Sequence, residues 1–169
     1  DVRVSLVELG ADLAENYYTR DESIQPGHIV SIDPSIPAGA KKSTRAYDRQ
    51  VLGIVSTQPG ITLDDAIGVG HGRAVPVALS GRVPVKVTTE NGAIKPGDLL
   101  TSSSTAGFAM KATKAGQIVG QAMTGHTGPE EGIVFAFVKT DYSIGSRLKD
   151  AIPLSEDGDV LSTKDTGRL

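Results

Sequence analysis

One phrase occurs twice in this chain. Ile24-Gln25-Pro26-Gly27-His28-Ile29-Val30-Ser31 returns as Ile94-Lys95-Pro96-Gly97-Asp98-Leu99-Leu100-Thr101. Each copy leads through a polar stretch into a second shared phrase, Val51-Leu52-Gly53-Ile54-Val55-Ser56-Thr57 and then Ile118-Val119-Gly120-Gln121-Ala122-Met123-Thr124. Two motifs in the same order at nearly the same separation mark an internal duplication. The local chemistry is that of a turn between strands. Proline pre-sets the first central φ of a type II turn, and glycine accepts the positive φ at the second. A chain built twice from turn, apolar strand, polar excursion and glycine-interrupted strand is expected to be all-β.

The punctuation agrees. Twenty glycines and nine prolines fall between short Val/Ile-rich runs, as in chains of many strands. We expect a compact barrel- or sandwich-like domain over 11–140, an N-terminal strand or junction over 1–10, and a short helix with a polar tail over 141–169. Val2, Val4 and Leu6 alternate with polar residues. Ile144–Ile152 reads as amphipathic helix stopped by Pro153, and 155–169 is polar enough to order only by docking. Val75–Leu79 and Val83–Val87 read as matched strands around Ser80-Gly81-Arg82. Each holds a proline, which has no N–H for a ladder, so at those points both strands are expected to be edge-like, at a barrel seam or against a neighbouring subunit. Ile61–Ala74 reads as a glycine-rich connector with a hairpin tip, lacking the spacing of a phosphate loop. Gly132–Lys139 is the most apolar strand and is expected to be central.

Composition removes several functions. A net charge of −3 supplies no basic face for nucleic acid. Lys41, Lys42, Arg45 and Arg49, with Asp48 among them, read as a solvated loop. With no cysteine there is no disulfide, thiolate site or cysteine nucleophile. His28, His71 and His126 lack metal-ligand spacing, so neither a metal nor a cofactor is expected. No apolar run approaches the roughly 20 residues of a membrane span. Four tyrosines, three phenylalanines and no tryptophan make a poor platform for sugars.

Asp12 and Glu15 are the one carboxylate pair with chemical interest. Three residues apart, they share a face on a helix and lie on opposite faces of a strand. From Asp12-Leu13-Ala14-Glu15 onward the chain resembles the intramolecular-chaperone autocleavage (G2 peptidase) domain at the C-termini of bacteriophage tail-spike and neck-appendage proteins. The likeness runs through the Pro26-Gly27 strand, Tyr47-Asp48 with Val51–Pro59, Leu79–Val85, Lys95–Asp98 and the Gly120 strand, covering roughly 11–139. The resemblance implies a trimeric β domain that helps an upstream fibrous stalk fold in register and, in some members, cuts itself off. It implies a cut between Ala11 and Asp12, with Glu15 as the activating carboxylate. Members that cleave carry serine where this chain has Ala11. Chemically, the Asp12 carboxylate can reach the preceding carbonyl through a six-membered ring, with a neighbouring acid moving the proton. The alternative is that both carboxylates only cap or salt-bridge the first turn.

The leading expectation is therefore a structural, self-associating terminal assembly domain of an extracellular fibre, tail spike or surface protein. Its partners would be copies of itself and an upstream stalk, at the cell exterior or on a virion. An autoproteolytic domain acting once is the first alternative. The second is a filament subunit whose 2–9 or 155–169 segment adds to a neighbour's open strand margin.

Overall fold

Both Pro-Gly turns form as the sequence predicts. Gly27 and Gly97 sit at φ +82° and +91°. The His28 N–H donates to the Gln25 carbonyl at 3.2 Å and the Asp98 N–H to that of Lys95 at 3.0 Å, closing each turn. The computed structural model describes residues 12–64 and 67–144, so the expected strand at 2–6, the helix beyond Ile144 and the 155–169 tail lie outside the described residues. Over those residues the chain is all-β and sandwich-like, with no helix. The strands are β1 (Asp12–Thr19), β2 (Ile29–Ile32), β3 (Ala40–Lys42), β4 (Val51–Val55), β5 (Ile61–Leu63), β6 (Arg73–Val87), β7 (Leu99–Ser102), β8 (Ala109–Lys111), β9 (Gly116–Ala122) and β10 (Gly132–Ser143).

The duplication is visible bond by bond. Val30 pairs with Gly53 and Lys42 in the first unit; Leu100 pairs with Gly120 and Lys111 in the second. The two turn glycines donate to equivalent carbonyls, Gly27 to Val55 at 2.8 Å and Gly97 to Ala122 at 2.7 Å. Ile54 pairs with Ala78 on β6, as Gln121 pairs with Phe137 on β10. The first unit is thus β2, β3, β4 and the first half of β6; the second is β7, β8, β9 and β10.

Strand β6 departs from the expected hairpin. It is one strand of 15 residues, bent at Gly81, where φ is +111°. Its first half pairs with β1 and β4, its second with β10 and β8. The β6–β10–β9–β7–β8 pairings close a ring. The first unit closes similarly, through β1 and the Tyr18–Gly39 bridge. Neither proline strand is an edge along its length, but each is edge-like at its proline, as expected. A residue's N–H and C=O leave a strand on the same side, and Pro76's carbonyl accepts from Ser56, just past the end of β4. Lys86, two residues from Pro84, donates to Gly27 in the first Pro-Gly turn. Both missing donors point where the neighbouring strand has ended, so no ladder bond is lost.

The connector expected over 61–74 contains strand β5, which pairs parallel with β1 rather than forming a hairpin with β6. The basic loop after β3 is pinned, not simply solvated. Asp48 accepts from the Ser31 hydroxyl at 2.7 Å and the Gln50 N–H at 3.0 Å, while its own N–H donates to Ser102 Oγ at 2.8 Å. Burial raises the Asp48 pKa, but the bonds from Gln50, Ser31 and Ser43 and the charge of Arg45 outweigh it and hold the carboxyl below its usual value. Tyr47 takes φ +55° and accepts from the Thr113 N–H at 2.7 Å. The loop of the first unit thereby clamps the second. The 103–108 loop returns the contact, with Gly107 accepting from Ile29 at 2.7 Å and donating to Ser43 at 2.8 Å.

Two clusters make the core. One holds the inner face of the first unit, Val30, Val55, Val75 and Val77. The other joins the equivalent inner residues of the second unit, Leu100, Ala122, Val134 and Ala136, to the outer face of the first, Ile29, Ile54 and Ala78. The units therefore stack face to back.

Candidate association face and the Asp12 position

Among the described residues, stacking leaves the outer face of the second unit without a counterpart. The second-unit residues equivalent to Ile29, Ile54 and Ala78 are Leu99, Gln121 and Phe137, and they point outward. Alternation along β10 buries Val134, Ala136 and Val138 and turns Ile133, Phe135 and Phe137 to solvent at 63%, 54% and 47% exposure, with Met123 beside them at 46%. Strand β10 lies between β6 and β9 as expected of a central strand, yet it is apolar on its outer face too. Three large hydrophobics in alternate positions form a contiguous stripe rather than scattered exposed side chains, the pattern of an interaction site. A groove of about 450 Å3, lined by Arg82, Met123, Thr124 and Phe135, opens on it. The aromatic spacing was readable in the sequence; which of its two apolar faces would stay open was not.

Asp12 and Glu15, the expected catalytic pair, are not brought together. Both lie on β1, and a separation of three along a strand puts them on opposite faces. Glu15 accepts from the Tyr17 hydroxyl at 3.1 Å. Asp12 is 8% exposed, and its carbonyl accepts from the Gly60 N–H at 2.8 Å, which draws the 56–60 loop across it. Burial pushes the Asp12 carboxyl pKa up, since a desolvated carboxylate is disfavoured. The nearby Ser56 hydroxyl offsets part of that rise. No aligned hydrogen bond forms between them, and Asp12 Oδ2 and Ser56 Oγ are buried without a partner among the described residues. Ser56 was missed in the sequence because its place beside Asp12 comes from the loop crossing, not from spacing.

His28, buried behind the first turn, has Nε2 3.1 Å from Lys86 Nζ and its ring 5.9 Å from that of Phe108. Burial, then the charges of Lys86 and Lys42, lower its pKa to about 4. It is therefore neutral at neutral pH, with Nδ1 accepting from the Gln25 N–H at 3.1 Å. No group of three or more His, Cys, Asp or Glu that could hold a metal ion occurs among the described residues.

Among the described residues these features define a duplicated all-β domain with a pinned interior and an open apolar face on β10. No protein-family model matches the chain, and no curated protein matches it. Among solved structures it is similar to the C-terminal fragment of gene product 12 of bacteriophage phi29, with 15% identity and a TM-score of 0.52 over 76% of this chain and 100% of that fragment. At that identity the likeness is one of fold.

Proposed function

We propose that the chain is a structural, self-associating assembly domain, trimeric and placed at the end of an extracellular fibre, tail spike or surface protein. The observation that carries the reading is the outer face of β10. Ile133, Phe135 and Phe137 expose apolar area that costs roughly 25 cal/mol per Å2 to keep in water. The fold likeness to a phage protein's C-terminal fragment and the order of the shared phrases support a fibre end on a virion or cell exterior. Native mass spectrometry of the full chain at micromolar concentration is the test. A three-chain mass is expected, and a spectrum of monomers alone sinks the reading.

A second reading is favoured by one observation, the buried Asp12 carboxyl, whose Oδ2 has no hydrogen-bond partner among the described residues. In self-cleavage, the Asp12 carboxylate attacks the Ala11 carbonyl carbon, forming a C–O bond. The C–N bond breaks, and the freed Asp12 nitrogen takes a proton from water. A water molecule then hydrolyses the resulting anhydride, so the net change is addition of water across the Ala11–Asp12 bond. Glu15, on the opposite face, does not reach Asp12 from its own strand; Ser56 is the side chain that does, and it favours the ionised, nucleophilic form. Intact-mass measurement over days should show a split before Asp12 that Ser56→Ala slows more than Glu15→Gln. An uncut wild-type chain removes this reading.

A further inference from the structure

The loop from β6 to the second Pro-Gly turn carries the pair Asn91-Gly92. Its tight turn is closed by the Gly92 N–H, which donates to the Thr89 carbonyl at 2.8 Å, with Gly92 at φ +91°. The half-buried Asn91 carboxamide reaches into the clamp between the two units. Its Nδ2 donates to the Lys111 carbonyl on β8 at 3.0 Å and to the Tyr47 hydroxyl at 3.4 Å. That hydroxyl also accepts from the Thr113 and Lys114 amides.

Asparagine followed by glycine has a chemistry of its own. The glycine nitrogen attacks the asparagine Cγ, an intramolecular step that gains from proximity. A C–N bond forms and closes a five-membered succinimide. The Cγ–Nδ2 bond breaks, and Nδ2 leaves as ammonia, carrying the proton from the glycine nitrogen. Water then opens the ring at one carbonyl or the other, leaving aspartate or isoaspartate. Glycine permits this because no side chain crowds the ring, and a Cβ at Gly92 would meet nothing within 4 Å. Asn16, the other asparagine of the chain, precedes the bulky Tyr17 and is held by Asp64 at 2.8 Å.

We propose that Asn91 is a site of spontaneous deamidation whose rate is set by the clamp between the units. Ring closure needs Cγ to swing toward the Gly92 nitrogen. Nδ2 must therefore leave Lys111 and Tyr47, and the Gly92 N–H must leave Thr89. The closed clamp holds all three bonds, and a local opening between the units releases them. The product then hinders reclosure. An aspartate has acceptor oxygens only, and the Lys111 carbonyl has no proton to give them. Isoaspartate also lengthens the backbone by one carbon inside the turn. A passing separation of the units thereby becomes a lasting one.

The test holds the full chain in mildly alkaline buffer and follows residue 91 by peptide mapping, with isoaspartate resolved from aspartate. Wild type is expected to convert slowly at Asn91 and not at Asn16, Tyr47→Phe several-fold faster, and the urea-unfolded chain fastest. If Tyr47→Phe converts no faster than wild type, or folded wild type as fast as the unfolded chain, the clamp does not set the rate. An unfolded chain that stays unconverted at residue 91 removes the site itself. Should Tyr47→Phe fail to fold, wild type in urea below its unfolding transition takes its place, and conversion must speed up with urea. Asn91→Asp is expected to unfold at lower urea than wild type; an equal midpoint overturns the hindered reclosure.

Discussion

The two β units share a turn, a register and a glycine position, yet they meet different fates. Ile54 in the first is fully buried, and its equivalent in the second is the exposed Gln121. Ala78 is buried and its equivalent Phe137 is half exposed. The cross-strand pair beside the turn differs too. In the second unit Asp98 and Lys111 form an ion pair at 2.9 Å; in the first those places hold His28 and Lys42, and the imidazole accepts from the Gln25 N–H instead. One backbone plan therefore tolerates an open or a closed outer face, and a charged or a neutral turn. Strand pairing is set by the shared backbone, whereas burial is set by what each unit stacks on.

Four measurements would break or sharpen that comparison. The largest difference is expected at the equivalent core positions. Ile54→Ala should cost about 2–5 kcal/mol in urea unfolding, from lost apolar burial and the cavity left behind, while Gln121→Ala should stay within about 0.5 kcal/mol. Equal losses at the two sites would mean that face-to-back stacking is not what stabilises the pair. Next is the clamp between units. Tyr47→Phe removes the acceptor for the Thr113 and Lys114 amides and should cost roughly 1–3 kcal/mol, read from the same unfolding curves.

The third concerns acid. His28 has its folded pKa near 4, below its ordinary value of 6.5, so between those values the unfolded chain binds the proton and the folded one does not. Stability is then complete above the ordinary value, falls as pH drops toward 4, and levels off below. His28→Gln should flatten that part of the melting-temperature profile; an unchanged slope would exclude His28 as its source. Asp48, held low, accounts for a separate loss at still lower pH, as it is protonated. The smallest effect is expected at Asp98→Asn, since a partly exposed ion pair contributes at most about 1 kcal/mol. A larger loss would show that the turn's Lys95 N–H bond to Asp98, at 2.8 Å, is the greater part of its role.

Much of the fold was legible. Pro26-Gly27 and Pro96-Gly97 dictate their turns because φ is fixed by one residue and freed by the next. The strand at Ile29–Ile32 and the glycine-centred strands follow from alternation and turn spacing. What misled was also local. Ser80-Gly81-Arg82 has the composition of a hairpin turn, but the same residues bend a continuous strand when partners wait on both halves of its margins. Pro76 and Pro84 signalled a missing donor correctly; the sequence did not say that the neighbouring strand would already have stopped. Of the Asp12 position, the residue was readable, while its burial under the 56–60 loop and its neighbour Ser56 were not.

The sequence by itself determined the repeated unit, because turn geometry and strand alternation depend on residues a few positions apart. Tertiary structure alone decided which copy of the repeated outer face is hidden and which is open. That choice depends on contacts between residues far apart in the chain, and the local marks disagree: Gln121 in the place of Ile54 suits an open face, whereas Phe137 in the place of Ala78 suits a covered one.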